Sequence, residues 1–481
     1  MAGPATQEHP KSQQKCIAIF ALVCCFAVLV ALTFSAVDVW GDDEDGITEE
    51  NCSTDCRIVL VENIPDDLHL HAESRSHLPL SVGFHNLLEL AKHSVEVVSP
   101  VWDLNPWDVE TWPNTAEQGQ LLFQRLLSLK SRGIKLKIAS SLTNSAELRT
   151  LADHDADVRF VNMSAFTRGG LFSSFWIVDR KHVYIGSADM DWRAFSKRKE
   201  LGVMVFNCSC LALDLHRVFA FYWQLHHRDY IPSIWSKRVT ALYNKNNALE
   251  LQLNATWATA YLSTSPELFC SKYRTRDIDA IHRVIQSAEK FIYISVTDYL
   301  PLVNRTSNGT IVTRYWSSID EAIRDAVVLR GVRVRLLINF WKQTHPLTFN
   351  FVTSLKSLCT HLRNCSVEVR FFSIKDQNEH GLNHNKYMVT DNAVYIGHHA
   401  WVGSDFTFNA GVGLVIKITH ALKEKGVTIL EDVQAAFERD WWSRYAKSLK
   451  GSKIQEEKYR SPQQVEKSDE YRGRKEWYKP S

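Results

Sequence analysis

The chain has 481 residues, with 56 basic and 54 acidic side chains and a formal net charge of +2. Hydrophobic residues make up 45% and charged residues 23%, which excludes a mostly disordered chain. The near-neutral balance excludes a strongly basic nucleic-acid binder, although a local basic groove remains compatible with it.

Taken in chain order, the first feature is Cys16–Val37, 22 residues without a charge. A bilayer span takes about 20 apolar residues, whereas the apolar region of a cleaved signal peptide runs to about 7–15. The run therefore predicts one transmembrane signal anchor over 16–37. Lys11 and Lys15 precede it, and Asp38, Asp42, Asp43, Glu44 and Asp45 follow. The positive-inside rule then makes 1–15 a cytoplasmic tail. The bulk is expected to be lumenal or extracellular, on the endoplasmic reticulum, Golgi, endolysosomal or cell-surface route, in a single-pass type II membrane protein. Residues 38–51 read as an acidic stalk.

Seven Asn-X-Ser/Thr acceptors lie beyond the span: Asn51, Asn162, Asn207, Asn254, Asn304, Asn308 and Asn364. In a lumenal chain they predict a glycoprotein. Cys52, Cys56, Cys208, Cys210, Cys270, Cys359 and Cys365 also lie beyond the span. Their spacing is poor for zinc, and the compartment favours disulfides, so no metal is expected. An odd count leaves at least one thiol free or paired between chains.

The rest of the chain repeats itself with a period of about 200 residues. Residues 85–100 match 281–296 as a helix running into a buried strand, and 126–141 match 326–341 as helix, Gly, strand. Residues 172–192 match 384–401 as two strands with a tight connection, and 213–223 match 433–442 as a closing amphipathic helix. Four blocks in the same order predict a duplicated α/β protein. The expected lobes are 52–235 and 249–447, joined by a connector at 236–248, with a polar, mobile tail at 448–481. Two such halves pack about a pseudo-two-fold axis, and ligand sites often lie on such an interface. Between the repeats, Asp320, Glu321 and Asp325 have helical spacing and read as a solvated face.

The second half carries His384, Lys386 and Asp391. On an extended strand, residues i and i+2 project to one side, so His384 and Lys386 point together. An ammonium beside an imidazole suits a phosphate, because Lys supplies charge and His can attack phosphorus or move a proton. Asp391 is a candidate to orient the ring. There is no nucleotide-binding Gly loop, and no cofactor is expected.

With the duplication and the Tyr-Ile-Gly runs at 184–186 and 395–397, this motif resembles the HKD signature of the phospholipase D superfamily. The resemblance covers about residues 52–447. It is strongest to the animal type II membrane branch, through NCSCL (207–211), GSADMDW (186–192), KELGV (199–203) and NHNKYMVT (383–390). The span at 12–32 is similar to that of an inactive member of that branch. The resemblance implies two α-β-α sandwich lobes and a mechanism with one histidine from each half. One histidine forms a phospho-histidine and the other protonates the leaving oxygen. It also implies the disulfides Cys52–Cys210 and Cys56–Cys208, with Cys359–Cys365 as a further pair.

This chain departs from that pattern in the first half. Phe172 and Ser174 stand where His and Lys are expected, and only Asp179 is kept. Asp189 and Ala400 occupy the usual Asn positions, His398 and His399 replace smaller polar residues, and Glu200 aligns with Ala410. Phe can neither attack phosphorus nor carry a proton. The expectation is a pseudoenzyme, a binding or scaffolding protein with a phosphate ligand at His384 and Lys386. The alternative is a weak or altered phosphodiesterase, either a single-strand 5′ exonuclease or a phospholipid transphosphatidylase. It would use His398, His399 or a homodimeric composite site to supply the missing histidine. No protein partner can be named from the sequence.

Overall fold

The structure is a computed structural model that describes residues 19–30, 52–70, 77–105, 116–231, 237–307, 310–374, 382–420 and 427–448. The expected cytoplasmic tail, the whole stalk and nearly all of the polar tail lie outside the described residues. Of the expected span, residues 19–30 form a helix whose side chains are almost all exposed. No helix among the described residues is long and apolar enough to cross a membrane, and both ends of the 16–37 run lie outside them.

The first sheet contains β1 (Arg57–Asn63), β2 (Leu78–Pro79), β3 (Ser94–Ser99), β4 (Lys135–Ser141), β5 (Asp157–Val161), β6 (Phe175–Val178), β7 (His182–Gly186) and β8 (Glu200–Phe206). Its spatial order is β2-β1-β8-β7-β6-β3-β4-β5. The second sheet is built mainly from β9 (Leu249–Leu253), β10 (Thr256–Ser265), β11 (Phe291–Val296), β12 (Arg333–Asn339), β13 (Val367–Phe372), β14 (Tyr387–Thr390), β15 (Ala393–Ile396), β16 (Gly411–His420) and β17 (Ala446–Ser448). It runs β9-β10-β16-β15-β14-β11-β12-β13-β17.

From β1 to β5 and from β10 to β13, seven strands follow one order with one set of parallel and antiparallel pairings. The central strands are apolar runs buried on both faces, as a sheet covered by helices requires. Those helices are α1 (Leu80–Leu90), α2 (Glu117–Ser128) and α3 (Ser209–Gln224) in the first half, and α4 (Asp277–Ser287), α5 (Ser318–Arg330) and α6 (Ile429–Trp442) in the second. Left-handed Gly133 and Gly331 turn the chain from helix into β4 and β12. In each half one arginine caps the first helix: Arg132 donates to Leu88 and Ala91 carbonyls, and Arg330 to Ile285 and Ala288 carbonyls. The charge of residues 130–132 is thus partly spent on a helix terminus.

The halves are fastened crosswise. Helix α3 packs on β10, and α6 packs on β1. Asp214 on α3 accepts two hydrogen bonds from the buried guanidinium of Arg274, at 2.6 and 2.9 Å. Arg439 on α6 makes two 2.7 Å bonds to Glu62 on β1 and two, of 3.0 and 3.1 Å, to Asp440. Asp440 in turn lies 2.6 Å from the wholly buried Lys199. The disulfides Cys52–Cys210 and Cys56–Cys208 tie the start of the first lobe to α3, and Cys359–Cys365 closes a short loop. Cys270 is free. One acidic face differs from expectation. Asp320 is fully buried and accepts from Tyr299 (2.8 Å), Tyr315 (3.0 Å) and Arg324 (2.6 Å), because the buried Tyr299 hydroxyl needs an acceptor.

Candidate functional site

Two reciprocal backbone crossings bring the lobes together at the site. The His384 amide donates to the Lys199 carbonyl (2.8 Å), and Lys199 donates to Leu382 (2.8 Å). In the mirror position the Phe172 amide donates to the Ala410 carbonyl (2.8 Å), and Ala410 donates to Gly170 (2.9 Å). The pseudo-two-fold axis therefore exchanges His384 with Phe172, and Lys199 with Ala410. The counterpart of Glu200 is Gly411, not Ala410. Strand register agrees, since Val203 faces Ile185 as Leu414 faces Ile396. Gly202 and Gly413 each lie against a tyrosine ring, Tyr184 and Tyr395. The error is a slip of one residue, which places a side chain on the wrong face of a strand.

The retained half-site is His384, Lys386 and Glu200. His384 Nδ1 lies 2.9 and 3.0 Å from the two carboxylate oxygens of Glu200, and Lys386 Nζ lies 2.8 Å from His384 Nε2. Lys can only donate. This assigns the proton to Nδ1, facing Glu200, and the lone pair to Nε2. Burial, then the Lys386 and Arg198 charges, hold the His384 ring well below the usual imidazole range, so it is neutral. Burial pushes Glu200 up to about 8 against the pull of Lys386 and Arg198. It pushes Lys386 down to about 8 against the pull of Glu200 and Asp189. The ring remains 15% exposed, so this edge of the site is open.

The mirror half-site is filled. Phe172 takes the histidine position, and Ser174 donates to the Ala188 carbonyl at 2.6 Å. Gly411 carries no side chain, and a Cβ there would collide with the His399 ring. That ring is buried, bonded to the Ser265 hydroxyl, and stands edge-on to Phe172 at 6.4 Å between centroids. Burial pushes His399 down to about 3, so it is a neutral packing group. The volume of the missing carboxylate is occupied.

His398 comes closer to the chemistry, with its ring 6.4 Å from that of His384 and perpendicular to it. Both of its nitrogens are engaged. Nδ1 lies 3.0 Å from the Gly186 carbonyl, and Nε2 lies 3.1 Å from Asp189 Oδ1. Each partner is an acceptor oxygen. Burial opposes ionisation of Asp189, but His398 and Lys386 outweigh it and hold the carboxyl down at about 2. The sequence reading left this pair unmatched. Aligning the halves does not reveal it, because His398 of one lobe meets Asp189 of the other and the two are not equivalent positions.

The motif aspartates do other work. Asp391 stands seven residues from His384, about 23 Å along an extended strand, and does not orient its ring. Its carboxylate accepts from the Glu289, Lys290 and Phe291 amides at 3.0–3.3 Å. Asp179 does the same for Lys92, His93 and Ser94 at 2.7–2.8 Å. This explains why Asp179 is present where the histidine and lysine are not. Asp179→Ala and Asp391→Ala are each expected to destabilise the fold by about 2 kcal/mol, from charge-assisted bonds to backbone amides. Urea unfolding checks this. A stability cost at one position only would contradict a shared structural role.

No group of three or more His, Cys, Asp or Glu among the described residues is arranged to hold a metal ion.

The duplicated sheets, the crossed helices and the His-Lys pair on the interface define a phospholipase D-like protein with one half-site intact. The chain belongs to the family described as "PLD3/4, PLD-like domain", which matches residues 72–377. It is 52% identical to inactive phospholipase D5 of Mus musculus over 93% of this chain and 83% of that protein. It is 38% identical to 5'-3' exonuclease PLD3 of Xenopus laevis over 89% of this chain and 88% of that protein. Among solved structures, phosphatidylserine synthase of Haemophilus influenzae Rd KW20 shares the fold with a TM-score of 0.54 at 13% identity, covering 87% of this chain and 93% of that one.

Proposed function

We propose that this protein is a catalytically inactive, phospholipase D-like membrane glycoprotein whose remaining half-site binds a phosphate group without turning it over. The observation that carries this reading is the filled mirror site. Phe172 stands in the histidine position, Gly411 offers no carboxylate, and the buried His399 is bonded through Nε2 to Ser265 and packed edge-on against Phe172. The name of the mouse relative, inactive phospholipase D5, supports it. The second reading, an altered phosphodiesterase, draws on the relative named as a 5'-3' exonuclease and on the nearness of His398. The engagement of both His398 nitrogens argues against it.

An anion at the half-site would meet the Lys386 ammonium and the His384 edge. Sulfate, whose charge is constant across the working range, is expected to slow hydrogen–deuterium exchange at the His384 imidazole C2 in the full chain. Lys386→Ala is expected to weaken the effect at least about tenfold. Absence of protection at any sulfate concentration would refute the binding role. The pH dependence follows from the two groups near 8. Lys386 is charged below about pH 8 and loses its proton above it, while Glu200 gains a negative charge over the same range. Both changes oppose an anion, so protection should be steady from pH 6 to 7 and fall above about 8. Protection that rises with pH would contradict the assignment.

The membrane assignment rests on the uncharged run at 16–37, on the exposed apolar helix at 19–30 and on the flanking charges. It makes the protein single-pass type II, with its lobes in the secretory lumen or outside the cell. Asn162, Asn207, Asn304 and Asn364 are exposed and available to glycosylation. Asn254 differs, because its amide nitrogen donates to the Ile58 carbonyl (2.7 Å) and its oxygen accepts from the Ile58 amide (3.0 Å). Glycopeptide mapping is expected to find Asn254 bare while other acceptors are occupied. A fully unglycosylated protein from a secretory host would contradict the topology.

A further inference from the structure

A cleft of about 790 Å³ opens on the second lobe, between the C-terminal half of α4 and the β10-β16-β15 face, with residues 245–248 along one side. It is distinct from the half-site. Asn392 and Ala393 line it, at the far end of β14 from His384. Small-molecule sites commonly fall between about 300 and 1,000 Å³.

Its lining is chemically one-sided. Lys245, Arg283, Arg330 and Lys417 contribute positive charge, and Glu289 is the only acidic lining residue. Two of these cations are occupied. Arg330 caps the end of α4, and Lys245 lies 3.2 Å from Asp279. Arg283 and Lys417 are exposed, and neither makes a side-chain hydrogen bond or ion pair among the described residues. Tyr261 lines the same cleft, is only 6% exposed, and its buried hydroxyl has no hydrogen-bond partner among the described residues. A buried hydroxyl without a partner is uncommon and costs stability unless something supplies one. Val284, Ala393 and Val415 add apolar surface beside these groups.

We infer that this cleft is a second anion site, taking a small organic anion that carries phosphate or sulfate groups. Arg283 and Lys417 would hold the charged group, Tyr261 would donate to it, and the apolar patch would receive the ligand's carbon skeleton. Two unpartnered cations and an orphaned donor beside an open cleft are what such a ligand satisfies. The site owes nothing to the phospholipase D-type chemistry, because none of its residues reaches the interface where His384 lies.

The test is calorimetric titration of the full chain in detergent, with inositol hexakisphosphate in one arm and a sulfated disaccharide in the other. Saturable binding is expected in at least one arm and identifies the ester class. Arg283→Gln/Lys417→Gln is expected to weaken it at least about tenfold, and Tyr261→Phe about three- to tenfold. Lys386→Ala should leave it intact. Arg283 and Lys417 are surface residues, so an unchanged melting temperature in that variant separates loss of the site from loss of the fold. No saturable binding in either arm, binding indifferent to Arg283→Gln/Lys417→Gln, or binding lost equally in Lys386→Ala would each overturn the assignment.

Discussion

The double substitution Phe172→His/Ser174→Lys is expected to leave the protein silent toward phosphodiesters, although it rewrites the missing motif. A histidine at 172 would lack the carboxylate that fixes its tautomer. On the intact side Glu200 holds the His384 Nδ1 proton, and the equivalent Gly411 has no side chain to do so. The neighbouring volume is filled by His399, anchored to Ser265. Restoring function means restoring the set. The mirror residues of Ser187, Ala188 and Glu200 are His398, His399 and Gly411, and Ser187 itself donates to Glu200. The quintuple variant Phe172→His/Ser174→Lys/His398→Ser/His399→Ala/Gly411→Glu is therefore expected to gain turnover of a chromogenic diester over the double variant. The gain is expected to be about 10²–10⁴-fold, the usual worth of a positioned general acid. Equal turnover from the double and the quintuple variants would show that Gly411 and His399 are not what disables the site.

The second large effect concerns stability. Arg439→Ala is expected to cost about 3–5 kcal/mol, because it strips a buried partner from both Glu62 and Asp440. The change breaks contact between β1 of the first half and α6 of the second. It also leaves Asp440 to Lys199, whose carbonyl holds the His384 amide. Burial opposes ionisation of Glu62, but His77 and Arg439 outweigh it and hold the carboxyl well below its ordinary range. A carboxylate depressed on folding adds stability above its unfolded value, near 4.5, and that stability is lost as pH falls through the folded value. The native chain should therefore weaken below about pH 4.5, and Arg439→Ala should weaken less steeply there. Thermal unfolding between pH 3 and 7 reads both effects. A melting temperature unchanged by Arg439→Ala would contradict a stabilising crosswise network.

The duplication was legible because each repeat writes a helix, a Gly turn and a β-rich run in the same order, and these local signals survive divergence. His384 and Lys386 were legible for the same reason, since two residues apart on a strand means one face. Four features were not. The match of Glu200 to Gly411 needs strand register, which one residue of slip destroys and which only the ladder pairings fix. Asp391 looked catalytic from its place in the motif. Its partners are the amides of residues 289–291, about 100 positions away, and no spacing rule encodes them. Asp320 looked solvated because helical spacing cannot show that two tyrosine hydroxyls and an arginine converge on it. The Arg439–Glu62 pair joins residues 377 apart. Such pairs arise from the closure of the two lobes, which the local sequence does not specify.

The most direct measurement is phosphodiester turnover by the purified full chain, on single-stranded DNA with a free 5′ hydroxyl and on a chromogenic diester, with His384→Ala alongside. The filled mirror site predicts no turnover in either protein. Turnover by the native chain that His384→Ala abolishes would contradict that account and would identify His398 as the first residue to examine as the second proton carrier.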